Sequence, residues 1–260
     1  MTLTMLGTGN AAATACYNTC FVVTDESRSF LVDGGGGNGL LVQLENAGID
    51  IERISDVFVT HKHIDHILGI LWLIRVRKRS ASVLRIYSHS EVIELLHRMA
   101  EDLAIIAPGC WGNVQLIPVE AGKAYTILGR PVTFFDLLST KVRQFGFSMN
   151  LGNGNRLSCF GDEPCTEHTF PYARGAKWLL HEAFCLDSEK DLYHPHEKHH
   201  STVKDACELA ERAGAENLIL YHTEDREIFS RQARYTAEGK HFYSGNLFIP
   251  YDLEKIELLC

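Results

Sequence analysis

The chain contains no apolar run approaching the roughly 18 residues that a membrane-spanning helix needs. It contains no C-x-x-C pair either. Its eight cysteines stand at 16, 20, 110, 159, 165, 185, 207 and 260, and Cys159 and Cys207 sit inside apolar runs. That excludes a disulfide framework or a zinc ribbon, and reads as free, mostly buried thiols in a reducing compartment. Positive charge is in deficit: 25 Lys and Arg against 33 Asp and Glu leave a net charge of −8. This argues against a general basic surface for nucleic acid and leaves a local basic patch open. The one notable basic run, Arg75 to Arg79, reads as an exposed helix end. There is no fixed-period repeat, no low-complexity tract and no Pro/Ser linker, so residues 1–260 read as a single domain. The N-terminal Met-Thr-Leu-Thr-Met-Leu-Gly lacks a charged region and a cleavage pattern, so no signal peptide is expected and the protein reads as cytoplasmic. Neither G-x-x-x-x-G-K-[ST] nor a G-x-G-x-x-G between strand and helix occurs. The glycines of Asp33-Gly34-Gly35-Gly36-Gly37 therefore read as a sharp turn, not a phosphate cradle.

What is present centres on Thr60-His61-Lys62-His63-Ile64-Asp65-His66. The pattern H-x-H-x-D-H puts four metal-ligand side chains within six residues. Neutral imidazoles with a carboxylate suit zinc, with manganese or iron as alternatives. His61 and His63, two apart on an extended segment, point to one side. Asp65 and His66 follow at a turn into a helix and are aimed at a second, adjacent ion.

Around this motif the chain alternates strands and helices. Strands are expected at Leu3–Leu6, Cys20–Thr24, Ser29–Val32, Asp56–Thr60 and Leu84–Tyr87. Helices are expected with Leu40, Leu41, Leu44 and Ala47 inward and Gly48 as cap, then with Ile67, Ile70, Leu71 and Ile74 inward. A third would bury Val92, Ile93, Leu96, Met99 and Leu103, with His89 and His97 structural or solvated. Short alternating strands follow from 113 to 160, the last ending in Gly161-Asp162. Lys177–Leu180 is a strand ending in His181-Glu182-Ala183, and the His-rich segment 187–200 reads as a loop. Thr202 and Asp205 make a capping box for a helix ending at Gly214. Leu218–Tyr221 is a strand ending in His222, and the tail mixes one short helix with terminal strands. The His61–His66 motif, Asp162 and His222 thus each follow a short apolar strand, where ligands gather in layered α/β structures. Asp162 is the natural bridge, since one carboxylate can offer an oxygen to each of two ions.

The order and spacing of these pieces resemble the metallo-β-lactamase superfamily, and more narrowly its ribonuclease Z-like branch. The resemblance runs through Leu6-Gly7-Thr8-Gly9, Leu31–Gly35, Thr60–His66 with Gly69, Gly161-Asp162, His181-Glu182-Ala183, His200-Ser201-Thr202 and Leu218–His222. It implies an α+β fold, an αββα sandwich with a dinuclear metal site at strand ends between two sheets, and metal-activated hydrolysis, commonly of a phosphodiester. It also implies His61 and His63 on one ion, Asp65, His66 and His222 on the other, and Asp162 between them. His181 would be the acid that protonates the leaving oxygen, with Glu182 orienting it or His200. A homodimer is implied by the resemblance alone.

The pattern breaks in two places. The family has a further metal-binding histidine shortly before a Gly-aromatic pair, here Gly146-Phe147, yet no histidine occurs from Ile127 to Glu167. His61, His63 and Asp162 alone would hold the first ion, unless His168 or Asp136 swings in. The centre is then active but asymmetric, or only its second site fills. The span from the expected histidine to Asp162 is too short for the protruding arm with which ribonuclease Z enzymes hold tRNA, and with the charge of −8 this argues against tRNA as substrate. The reading is a metal-dependent hydrolase of small phosphodiesters. Hydrolysis of a lactone, thioester or sulfate ester, and a non-catalytic metal-bound binding module, are the alternatives.

Overall fold

A computed structural model of the chain describes residues 1–258. Its strands are β1 (Thr2–Gly7), β2 (Cys20–Thr24), β3 (Ser29–Val32), β4 (Ile54–Phe58), β5 (Leu84–Ser88), β6 (Val114–Pro118) and β7 (Ala124–Ile127). They continue as β8 (Arg130–Asp136), β9 (Phe145–Gly152), β10 (Asn155–Cys159), β11 (Trp178–Glu182), β12 (Asn217–Tyr221), β13 (Asn246–Phe248) and β14 (Lys255–Glu257). The helices are α1 (Gly39–Asn46), α2 (Ile64–Arg77), α3 (Ser90–Asp102), α4 (Phe170–Ala173), α5 (Lys190–Tyr193), α6 (Val203–Ala213) and α7 (Ile228–Gly239). Two seven-stranded sheets result, in the orders β14-β1-β2-β3-β4-β5-β6 and β13-β12-β11-β10-β9-β8-β7.

Alternation along each strand sorts the side chains into three cores. Phe30, Val32 and Phe58 of the first sheet meet Phe134, Phe147, Leu180 and Ile219 of the second between the sheets. Leu31, Val57 and Ile86 face outward onto α1, α2 and α3. Leu179, Leu218 and Leu220 face outward onto α4, α6 and α7. Strands covered on both faces must be apolar throughout, which is why they appear as continuous apolar runs in the sequence. The architecture is the expected αββα sandwich. In each sheet four neighbours run parallel, β3 to β6 and β10 to β13, so their carboxyl ends share one rim. The cysteines described are free thiols, Cys260 lying outside the described residues, and burial pushes Cys159 and Cys207 up to about 12.

Several expectations need correction. Arg77 is not part of an exposed helix end. It is fully buried, and its guanidinium donates to the carbonyls of Ile51 and Ile54 at 2.6 and 2.7 Å and to Ser82 Oγ at 2.6 Å. These bonds tie the end of α2 to the start of β4, and only a long, forked donor reaches all three acceptors. Leu103, expected inward, is 61% exposed because α3 ends one residue before it. The segment 187–200 is not a plain loop but winds through α5 and two short 3₁₀ turns. β11 extends through Glu182, which turns His181 and Glu182 to opposite faces.

Candidate metal centre

The glycine turn after β3 prepares the site. Tyr17 lays its ring where a Cβ on Gly35 would sit, and its hydroxyl donates to the carbonyls of Gly34 and Gly37 at 3.0 and 3.1 Å. The glycines therefore accommodate a protein side chain. On the other side, α2 docks so closely that a Cβ on Gly69 would run into the Gly34 carbonyl, and Gly34 N donates to His66 O at 2.8 Å. The docking fixes where the first turn of α2 presents Asp65 and His66. β4 stops at Phe58, and the chain beyond it leaves the ladder: Thr60 N donates to Asp33 Oδ1 at 2.8 Å.

Asp33, which the sequence reading did not single out, organises the ligands. Its Oδ2 accepts from Thr60 Oγ1 and from His66 Nδ1, both at 2.8 Å. Having given its proton to Asp33, the Thr60 hydroxyl can only accept from His61 Nδ1, 2.9 Å away. Both histidines then carry their proton on Nδ1 and present the Nε2 lone pair inward, as metal-ligating histidines do. Asp33 and His222 both have left-handed backbones, with φ of 57°. Non-glycine residues adopt that conformation at a cost, and it concentrates where geometry serves function.

The inward atoms form two groups. His61, His63 and Asp162 lie together, as do Asp65, His66 and His222, the ligand atoms within 4.8 Å of one another in each. His61 Nε2 is 2.9 Å from His63 Nδ1 and 3.7 Å from Asp162 Oδ1. Asp162 Oδ2 stands 3.9 Å from His66 Nε2 and 3.7 Å from His222 Nε2, so its two oxygens face the two groups. Asp65 Oδ2 is 3.2 Å from His66 Nε2 and 3.7 Å from His222 Nε2. Burial pushes the His61 imidazole toward its neutral form. Burial opposes charge on His66, Asp162 and Asp65 too. Without an ion, Asp33 and Asp65 outweigh it at His66 and hold that imidazole toward its protonated form. The positive charge on the surrounding histidines holds both carboxyls well below the usual range. A bound ion would take over that charge and leave Nε2 of His66 free to ligate. His66 Nε2, His222 Nε2 and Asp162 Oδ1 are buried without a hydrogen-bond partner. Such orphans cost about 1–3 kcal/mol each when left unsatisfied. A divalent ion in each group satisfies them, so the donor set fits the cofactor.

The structure does not bring His181 to this cluster. Following Leu179 in phase, it faces the outer core against Phe160. Its Nε2 accepts from Cys165 N at 3.1 Å, which leaves the proton on Nδ1, bonded to Glu182 O at 2.8 Å. Neither nitrogen is free for proton transfer. Glu182, on the inner face, accepts from Ser201 N at 2.6 Å and turns Oε2 to His200 Nδ1 at 3.4 Å. His200 in turn shares a third group with Asp162 and His222. Backbone pairing of Cys185 with Thr202 holds this segment against the end of β11. Neither His168, which is exposed, nor Asp136, paired with Arg143 at 3.2 Å, joins the first group.

The model of the family described as beta-lactamase superfamily domain matches residues 28–223. The chain belongs to the beta-lactamase superfamily. Among curated relatives of this superfamily member, a protein named Ribonuclease Z from Pyrococcus abyssi is 27% identical over 302 residues, covering 96% of this chain and 94% of its own length. Among solved structures, the metallo-beta-lactamase fold protein YhfI from Bacillus subtilis superposes with a TM-score of 0.81 at 20% identity, covering 98% of this chain and 99% of its own. The short form of human tRNase Z gives 0.78 at 23% identity, with 100% of each chain covered.

Proposed function

We propose that this superfamily member is a metal-dependent hydrolase of small phosphodiesters, with residues 1–260 serving as one unit. The observation that carries this reading is the convergence of His61, His63, Asp65, His66, Asp162 and His222 on two adjacent groups, beside a histidine backed by a buried carboxylate. His61, His63 and Asp162 would hold one ion, zinc for preference, and Asp65, His66 and His222 the other, with Asp162 shared. Bound divalent ions supply Lewis acidity toward a phosphoryl oxygen and lower the pKa of water into the neutral range. The chain's residues do the rest. Asp65 remains ionised, gives Oδ2 to its group and leaves Oδ1 to orient the attacking water. His200 Nε2 carries a proton to the departing alkoxide, with Glu182 Oε2 facing Nδ1 at 3.4 Å on the other side of the ring. That assignment replaces His181, whose nitrogens are both engaged.

Action on precursor tRNA, the reading the relatives' names invite, finds less support. Phe145 to Cys159 form the β9–β10 hairpin, closed by a tight turn at Asn153 and Gly154, with no arm among them. A homodimer stays part of the proposal, the exposed apolar side chains Ile64, Trp72 and Val76 of α2 offering a surface that suits it.

The test compares two phosphodiesters, one leaving as a nitrophenolate and one as an alkoxide. His200→Ala should slow the alkoxide substrate by about a hundredfold or more and the nitrophenolate far less, because a good leaving group needs little protonation. Equal losses would reduce His200 to a positioning role. Failure of the fully metallated protein to cleave any phosphodiester would remove this reading in favour of another ester bond or a binding module.

A further inference from the structure

The corner where the resemblance implies a histidine holds a lysine instead. The segment between β8 and β9 lies beside the metal motif, pinned by Leu137 N donating to Gln144 O and by Phe145 N donating to Thr60 O, at 2.9 and 3.0 Å. Within it Lys141 turns inward, its side chain only 19% exposed. Its Nζ stands 3.7 Å from Glu163 Oε2 and donates to His199 O at 3.4 Å. Glu163 is the residue after Asp162; it is buried, and Gln144 Nε2 donates to the same oxygen at 3.0 Å. The ammonium is thus lodged between Glu163 and His199, the chain neighbours of Asp162 and of His200.

We propose that Lys141 is a cation set beside the first group: it makes an ion at His61, His63 and Asp162 less tightly held than the one at Asp65, His66 and His222, and offers a donor to the anionic oxygen of the substrate. The proposal rests on reading the two groups as a metal centre. A protonated lysine offers three donors and no lone pair, so it cannot act as a ligand, and it repels a divalent ion close by. The first group therefore lacks a ligand and carries an opposing charge, whereas Asp65, His66 and His222 lack neither. An ammonium held by a carboxylate and a carbonyl still has a donor for a phosphoryl oxygen.

Zinc titration of purified protein, by calorimetry with elemental analysis, tests this. The wild type should bind one zinc tightly and a second at least about a hundredfold more weakly. Lys141→Met should tighten the second zinc about tenfold by removing the charge. Lys141→His should tighten it further by adding a ligand, within the ten- to hundredfold range typical of changes around a metal. Inorganic phosphate should bind the one-zinc form of Lys141→Met at least about tenfold more weakly than the one-zinc wild type. Lys141→Gln, which keeps a polar head, repeats each measurement should the methionine variant fail to fold. Two zincs of equal affinity in the wild type, an unchanged second affinity in the variants, or unchanged phosphate binding would overturn the proposal. Those outcomes leave the metal-centre reading standing; a wild type that binds no zinc would remove that reading and the proposal together.

Discussion

The side chain on which most of the site depends is one that touches no ion. Asp33 accepts from His66 directly and from His61 through the Thr60 hydroxyl, so one carboxylate sets the tautomer of a ligand in each group. Asp33→Asn would place an NH₂ or a neutral carbonyl against two donors, and zinc affinity should fall about ten- to hundredfold. Zinc titration monitored by calorimetry checks it, and an unchanged affinity would mean that the ring orientations are fixed elsewhere. His66→Ala and His222→Ala, which remove ligands outright, should strip most of the tightly held metal in elemental analysis; full retention by both would refute the ligand assignment. The contiguous ligands were legible in the sequence because chain spacing alone determines where they point. Asp33 was hidden in a glycine turn, and its partners are Thr60 and His66, 27 and 33 residues away. His181 was misread for a different reason. Its role came from the resemblance alone, whereas a strand running through Glu182 lets only one of the two neighbours face the site.

Elements place what residues cannot place alone. His200 reaches the cluster because the chain before α6 is pinned to the end of β11, and α6 begins immediately afterward with a capping box. Asp205 Oδ2 accepts from Thr202 N at 2.8 Å, from Thr202 Oγ1 at 2.7 Å and from His196 Nε2 at 2.8 Å. Burial opposes ionisation of Asp205, but the His196 and Thr202 hydrogen bonds outweigh it and hold the carboxyl below its ordinary value. A carboxyl depressed in the folded state stabilises fully above its unfolded pKa, about 3.9, and that contribution is lost as pH falls through the lower folded value. The side chain is 40% exposed, so the size is better taken from capping than from the shift. Asp205→Ala should cost about 1 kcal/mol at pH 7 and clearly less at pH 3. Urea unfolding at the two pH values measures this, and an equal gap at both would contradict it. The capping box, the αL glycine at Gly214 and the 3.6-residue periodicity of α6 were all readable, because helix ends write their chemistry locally. Burial of Arg77 was not, since its acceptors belong to another part of the chain.

The whole molecule limits what can enter the site. Two parallel runs of strands bring their carboxyl ends to one rim, which is why motifs more than 150 residues apart, His61 and His222, meet there. The strands and helices were legible as apolar runs and amphipathic periodicities, but the sandwich was implied only by the family resemblance, because the pairing of the two sheets comes from contacts that no single segment records. The alignment with the Pyrococcus abyssi relative is longer than this whole chain, so the relative carries insertions that this chain lacks. Where an arm would project, the chain turns back in a hairpin, and the net charge of −8 repels a polyanion at low salt. A folded tRNA has many phosphates to neutralise, and a chain of net charge −8 gains little favourable counterion release unless its cations are gathered on one face. On the proposed function, a small diester would meet only the centre and Lys141, where this penalty does not arise. Precursor tRNA at micromolar concentration should therefore leave cleavage of a nitrophenyl phosphodiester by metallated protein unchanged, within about 20% at 0.05–0.2 M salt, the range over which phosphate contacts would show their salt dependence. Competitive inhibition that weakens steeply as salt rises would show instead that the fold grips tRNA by another surface, and would return RNA processing to first place.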